Sequence, residues 1–127
     1  MLQADETPVM VSKDGCPANS RNYMWVYRTG KIYKDTPIVL YEYQRTRKAD
    51  HPREFLKDFA GIVVCDGYSA YRKLDRENQD IIFAGCWTHA RRYFADALKS
   101  LPKAAQKTVK DTVAYEAVKR IGAIYHL

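Results

Sequence analysis

The run Ile62-Val63-Val64-Cys65-Asp66-Gly67-Tyr68 decides how this chain is read. An unbroken apolar stretch of strand length, closed by an acid and a glycine, fits a strand buried on both faces, and such strands usually run parallel to a neighbour. A parallel neighbour requires a crossover connection. Upstream, Asp50 is expected to cap a helix with Pro52 in its first turn, and Phe55, Leu56 and Phe59 supply an apolar face that ends at Gly61. The partner strand is expected at the start of the chain. Over Leu2 to Val11, alternation places Asp5 and Thr7 on one face and Glu6 on the other, with Val9 and Val11 on one face, Met10 opposite, and Pro8 at an edge or bulge. If the two strands are neighbours, Asp5 and Asp66 meet at the end of a sheet, although 61 positions (66 − 5) separate them.

Outward from this pair, Ser12 to Asn22 carries Asp14-Gly15, Pro17 and Asn19, the residues of a connecting loop. Tyr23 to Arg28 is a second strand and Pro37 to Gln44 a third, joined by a turn over Thr29 to Thr36. Three strands with short connections make an antiparallel meander. Beyond Asp66, Ser69 to Leu74 is predicted as a short helix and Ile81 to Ala84 as a fifth strand. Thr88 is the predicted cap of a helix running to about Ser100, with Ala90, Phe94, Ala97 and Leu98 inward. Pro102 is expected to start a last helix whose stripe is Val109, Val113, Ala117, Ile121, Ile124 and Tyr125. A stripe that persists almost to Leu127 suggests that the chain stops before the fold does. Trp25, Tyr27 and Trp87 are expected in the core, and Tyr68 and Tyr71 are expected to pack beside the second acid.

A length of 127 residues is one domain's worth, so residues 1–127 are expected to form a single core, with 102–127 opening a helical insertion. No apolar run approaches a membrane span and no leader peptide is readable, so the expectation is a cytoplasmic protein. The cysteines Cys16, Cys65 and Cys86 contain no close pair, which points to reduced thiols, with Cys65 and Cys86 as small core residues. The net charge of +6 is a footprint of a phosphate-backbone partner, though a solvated basic surface explains it equally well. Arg45, Arg47 and Lys48 form one basic cluster, and Arg91-Arg92 with His89 another. These six residues are the candidate nucleic-acid contacts. Guanidinium groups are suited to holding phosphates through two parallel bonds.

Three strands, then helix, strand, helix, strand, helix, is the order of ribonuclease-H-like folds. The expected architecture is therefore α/β, a mixed five-stranded sheet with an antiparallel meander followed by parallel strands, flanked by helices. On that order the first strand is central and the fourth lies beside it. Asp5 and Asp66 then become candidate catalytic and metal-binding residues. Two carboxylates suit Mg²⁺ or Mn²⁺, hard ions that keep water for substrate phosphate oxygens. The plainer alternative is a turn acid and a helix-cap acid that never share a ligand.

Four words of sequence carry a resemblance: Ala4-Asp5-Glu6-Thr7-Pro8, Tyr23-Met24-Trp25-Val26-Tyr27, Asp66-Gly67-Tyr68-Ser69-Ala70-Tyr71, and Gly85-Cys86-Trp87-Thr88-His89-Ala90-Arg91-Arg92-Tyr93-Phe94. In this order they resemble the DDE transposases of the insertion-sequence sixty-six family, and Ala117 to Tyr125 looks like that family's following helix. The resemblance implies a core that cuts and joins DNA, with transposon ends and target DNA as partners, possible contact with other transposase subunits, and Asp5 and Asp66 as the first two acids of the triad. In the family a Glu close to an Asn-Asn pair supplies the third acid, and no such motif occurs in these residues. Asp96, Asp111 and Glu116 do not match that context. The family's N-terminal DNA-binding region is also not matched. The expectation is a truncated central catalytic fragment with weak or no strand transfer by itself. The alternatives are a non-catalytic DNA-binding or transposase-associating remnant, and an inert folded fragment.

Two further constellations are weaker. Cys86-Trp87-Thr88-His89 is half of a zinc site, with no second pair to complete it. His89-Ala90-Arg91-Arg92 contains the H-x-x-R of tyrosine recombinases, whose catalytic domains are helical, whereas this chain reads as a mixed sheet.

Overall fold

A computed structural model describes residues 1–11, 15, 17, 19–30, 36–102 and 108–126. Cys16, Asp14 and much of the two predicted connections before strands two and three lie outside them, as does the stretch just after Pro102. The chain divides into two compact units, Met1–Gly85 and Cys86–Leu127.

The first unit holds β1 (Leu2–Val9), β2 (Asn22–Thr29), β3 (Val39–Gln44), α1 (Asp50–Phe55), β4 (Gly61–Cys65), α2 (Ser69–Glu77) and β5 (Ile81–Gly85). One five-stranded sheet has the order β3-β2-β1-β4-β5. The meander β1–β2–β3 is antiparallel, and β4 lies parallel to both β1 and β5. The expected α/β class, the mixed sheet and the central place of β1 next to β4 are therefore present.

Period-two alternation sorts the sheet into two unlike faces. Ala4 and Glu6 pair across β1–β2 with Tyr27 and Trp25, and Val63 and Cys65 continue the same buried face on β4. Leu56 from the turn after α1 and Tyr71 from α2 close over it, and Tyr27 stacks on Phe55. Trp25 and Tyr27 are core residues as expected. On the other face, Asp5 sits with Val26 and Tyr41 across β2 and β3, and Ile62 pairs with Ile82. Ile62 is 41% exposed and Ile82 63%, so β4 is buried on one face and not on both. The reason is local: α1 and α2 both pack on the Trp25 side, and no other described helix belongs to this unit.

Several boundaries differ from expectation. β1 ends at Val9, and β3 begins at Val39. Ala49, not Asp50, is the N-cap of α1; Asp50 lies inside the first turn, where it pairs with Arg53. Gly61 opens β4 with φ +134°, a conformation other residues avoid, and its N–H donates to the Asp80 carbonyl at 2.9 Å. It is a strand-entry glycine and does not end the helix. α2 runs one turn beyond Leu74.

The second unit is α3 (Trp87–Lys99) packed with α4 (Val113–Tyr125). Cys86 is the N-cap of α3, whereas the Thr88 hydroxyl is 3.1 Å from the Tyr125 hydroxyl. Thr112 caps α4, accepting from the Tyr115 N–H at 3.2 Å. α4 therefore begins at Val113, well after Pro102. Of the predicted stripe only Ile121 is buried, and α3 buries no residue fully. Trp87 is 52% exposed and Phe94 36%, against the expectation of core positions. Two helices alone cannot enclose a whole apolar face.

Candidate active site

β1 and β4 pair Leu2 with Val63 and Gln3 with Val64, a constant offset of 61 residues. The same offset relates Asp5 to Asp66. Asp66 is the first residue after β4, at the point where the chain turns toward α2. Its Oδ1 accepts the Tyr68 N–H at 2.9 Å, a local turn that starts α2 with Tyr68 as N-cap. Asp5 is exposed, and its Oδ1 accepts the Glu6 N–H at 3.0 Å. The two acids line different cavities. Asp5 borders one of about 180 Å³ with Thr7 and Val26, and Asp66 one of about 230 Å³ with Gly67, Arg72, Asp75 and Gly85 at the carboxyl ends of β4 and β5. A larger cavity of about 380 Å³ between α1, the end of α2 and β5 involves neither acid.

Next to Asp5 the chain buries a carboxylate that the sequence did not single out. The Glu6 side chain is 0% exposed. Left alone there, an ionised carboxylate would cost several kcal/mol. Three donors meet it: Arg47 Nε at 2.7 Å and Arg47 Nη2 on Oε1, and the Tyr71 hydroxyl at 3.0 Å on Oε2. Burial pushes the Glu6 carboxyl above its ordinary range; the Arg47 and Tyr71 bonds pull it back in part, and the Asp66 charge adds to the rise. Burial alone would lower Arg47, but its bonds to Glu6 and that carboxylate's charge raise it. Desolvation, followed by the Glu6 charge, likewise pushes the Tyr71 hydroxyl up, so it stays a donor.

Arg47 also reaches the second acid. Its guanidinium carbon lies 3.7 Å from the centre of the Tyr68 ring, the Tyr68 hydroxyl donates to the Arg47 carbonyl, and Nη2 is 3.9 Å from Asp66 Oδ2. The structure thus links Asp66 to Glu6 through one arginine. Sequence offered one usable signal for this: a Glu on the core side of an alternating strand needs a buried donor. It could not say that the donor would come from residue 47.

The other predicted contacts are simpler. Arg45 and Lys48 are exposed beside β3 and α1, and Arg47 is half-buried. In the second unit Arg91 and Arg92 are exposed on α3 and His89 is half-buried. Cys65 is buried in the core as expected, Cys86 is half-buried, and neither is in a disulfide. Among the described residues no three of His, Cys, Asp and Glu group to hold a metal. None of the described helices is long and apolar enough to cross a membrane.

The sequence matches the transposase IS66 family over residues 1–127. The chain belongs to the IS66 transposase family. It is 37% identical over 102 residues to the uncharacterized protein y4qI of Sinorhizobium fredii, covering 73% of this chain and 19% of that protein. It is 26% identical over 138 residues to y4hP of the same organism, covering 99% of this chain and 24% of that protein. This IS66-family chain therefore spans about a fifth to a quarter of the curated relatives it matches. No solved structure matches it.

Proposed function

We propose that this chain is the part of an IS66-family transposase core that carries the first two acids of a metal-dependent DNA cleavage and strand-transfer site. The observation that supports the proposal is the common offset of β1 and β4, which relates Asp5 on β1 to Asp66 just past the end of the adjacent β4 in a β3-β2-β1-β4-β5 sheet. That order is the one expected of a ribonuclease-H-like core. In this proposal residues 1–127 form one core, with 102–127 opening a helical insertion, and the protein works in the cytoplasm on nucleoid DNA.

The donor set is two carboxylates, oxygen ligands that fit Mg²⁺ or Mn²⁺ and leave most coordination positions to water and phosphate oxygens. Asp5 and Asp66 would hold such an ion, which when bound supplies charge stabilisation for the attacking and leaving oxygens. Arg45, Lys48, Arg91, Arg92 and His89 would hold DNA phosphates, a screened and sequence-independent contribution. Arg47, the sixth predicted contact, is tied to Glu6 through Nε and Nη2 and would join them only with its remaining donors. Transposon ends, target DNA and other transposase subunits are the proposed partners. Lacking the third acid in its expected context, the isolated chain should show weak or no strand transfer.

A second hypothesis, a non-catalytic DNA-binding or transposase-associating module, is favoured by one finding: Asp5 and Asp66 border different cavities. DNA binding and Mn²⁺ titration of the purified chain separate the two. The transposase-core proposal expects salt-sensitive DNA binding together with Mn²⁺ broadening of amide signals around residues 5 and 66 that disappears in Asp5→Asn and Asp66→Asn. DNA binding with no Mn²⁺ effect at either acid would sink it in favour of the module.

A further inference from the structure

Resting on the proposal that Asp66 is a metal ligand, the geometry points to Arg47 as a positioning residue that holds the Asp66 carboxylate in its working orientation. Three ties fix the guanidinium. Glu6 anchors it from the buried side through two donors on one oxygen, the Nε contact at 2.7 Å. Tyr68 supports its flat face at 3.7 Å, and the tyrosine hydroxyl bonds back to the Arg47 carbonyl, so ring and guanidinium hold one another. Asp66 is the third. Its Oδ1 accepts the Tyr68 N–H at 2.9 Å, and its Oδ2 faces Arg47 Nη2 at 3.9 Å.

A carboxylate offers about four lone-pair positions. With one oxygen held by Tyr68 and the other faced by Arg47, the direction of the remaining positions is set by these two residues. At 3.9 Å the Arg47 contact is an ion pair without a close hydrogen bond, and the nearer bonds go to Glu6, so Asp66 keeps capacity for a cation. Arg45 and Lys48, on either side in sequence, are exposed, whereas Arg47 is half-buried. Nε and Nη2 of Arg47 are engaged by a side chain that is 0% exposed, which holds the guanidinium in place whatever its remaining donors meet. Partners that orient a ligating carboxylate typically change metal affinity by about 10–100-fold when removed.

The test uses the full chain and two readouts. One is Mn²⁺ affinity from broadening of the Gly67 amide signal; the other is hydrogen exchange at the Tyr68 amide without metal. Because Arg47→Met alone strands the Glu6 charge, the main variant is Glu6→Gln with Arg47→Met, which removes both charges. Arg47→Lys, which keeps the charge but loses the planar fork, is the companion if the double variant does not fold. The expected result is about 10-fold weaker Mn²⁺ binding and about 10-fold faster exchange at Tyr68, with β1 and β2 amides unchanged. Unchanged Tyr68 exchange overturns the proposal whatever the metal does. Unchanged or tighter Mn²⁺ binding also overturns it, the tighter case making Arg47 a competitor for the acid. If the wild type binds no Mn²⁺ while Tyr68 still loses protection, the orienting role stands and the metal assignment of Asp66 fails.

Discussion

The two faces of the sheet in the Met1–Gly85 unit differ more than alternation alone requires. One carries Trp25, Tyr27, Val63 and Cys65 under α1 and α2, and admits a single carboxylate, Glu6, only with three donors around it. The other carries Asp5 among Val26, Tyr41 and Ile62, with Tyr41 69% exposed. Asp5 and Glu6 are neighbours in sequence and opposite in circumstance. The buried acid is held by Arg47 and Tyr71, and the exposed acid is the one that the proposed function assigns to chemistry. Strand geometry makes this division, since one residue's step along β1 exchanges one face for the other.

The comparison breaks most easily at the core. Trp25→Ala removes a 0% exposed indole that meets Tyr71 edge-on at 6.3 Å, and should cost about 3–5 kcal/mol in urea unfolding. Tyr41→Ala on the opposite face should stay within about 0.5 kcal/mol. Equal costs at the two positions would mean that the faces are not distinguished by burial.

Next comes the clamp on Glu6. Arg47→Met should destabilise the unit by about 2–3 kcal/mol, below the loss for a fully buried pair because Arg47 is itself 38% exposed. Adding Glu6→Gln should recover most of that loss, since the cost lies in the stranded carboxylate and not in the missing arginine. A double variant no more stable than Arg47→Met would show that Arg47 stabilises chiefly through Tyr68.

Much of this was legible in advance. The strand order followed from the apolar run at Ile62–Cys65 and the helix before it, because a parallel strand needs a crossover and β1 was the available neighbour. The opposite faces of Asp5 and Glu6 followed from period two. What sequence could not supply was anything that depends on which elements cover which face. β4 reads as buried on both sides because Ile62 is as apolar as Val63, yet both α1 and α2 settled on the Val63 side. Trp87, Phe94 and Val113 read as core for the same reason and are exposed. Arg47 looked like one member of a basic cluster, and only the folded chain, bringing residue 47 to residue 6, gives it a separate task.

A smaller, graded effect concerns pH. The folded-state pKa of Glu6 lies above its ordinary value of 4.5, chiefly through desolvation, so the folded chain holds that proton more tightly than the unfolded one. Its contribution to stability is fully present below that ordinary value and is lost as pH rises through the folded pKa. Measured against Glu6→Gln, which cannot titrate, the wild type should therefore lose relative stability as pH is raised from about 4 toward neutrality. A difference that moved in favour of the wild type over that range would mean that the Arg47 and Tyr71 bonds outweigh desolvation.

The smallest stability effect is expected at Asp5, and it is the most telling about function. Asp5 is exposed, and its acceptor bond to the adjacent Glu6 N–H at 3.0 Å is partly kept by an amide. Asp5→Asn should thus move unfolding by no more than about 0.5 kcal/mol. It removes a negative charge, however, and a hard divalent ion binds a neutral amide oxygen less strongly than a carboxylate. Under the proposed function the same variant should abolish Mn²⁺ broadening near residue 5 while leaving the melting curve in place. A substitution that destabilises the unit as much as loss of Arg47 would place Asp5 with Glu6 among the structural acids, and the division of labour along β1 would not hold.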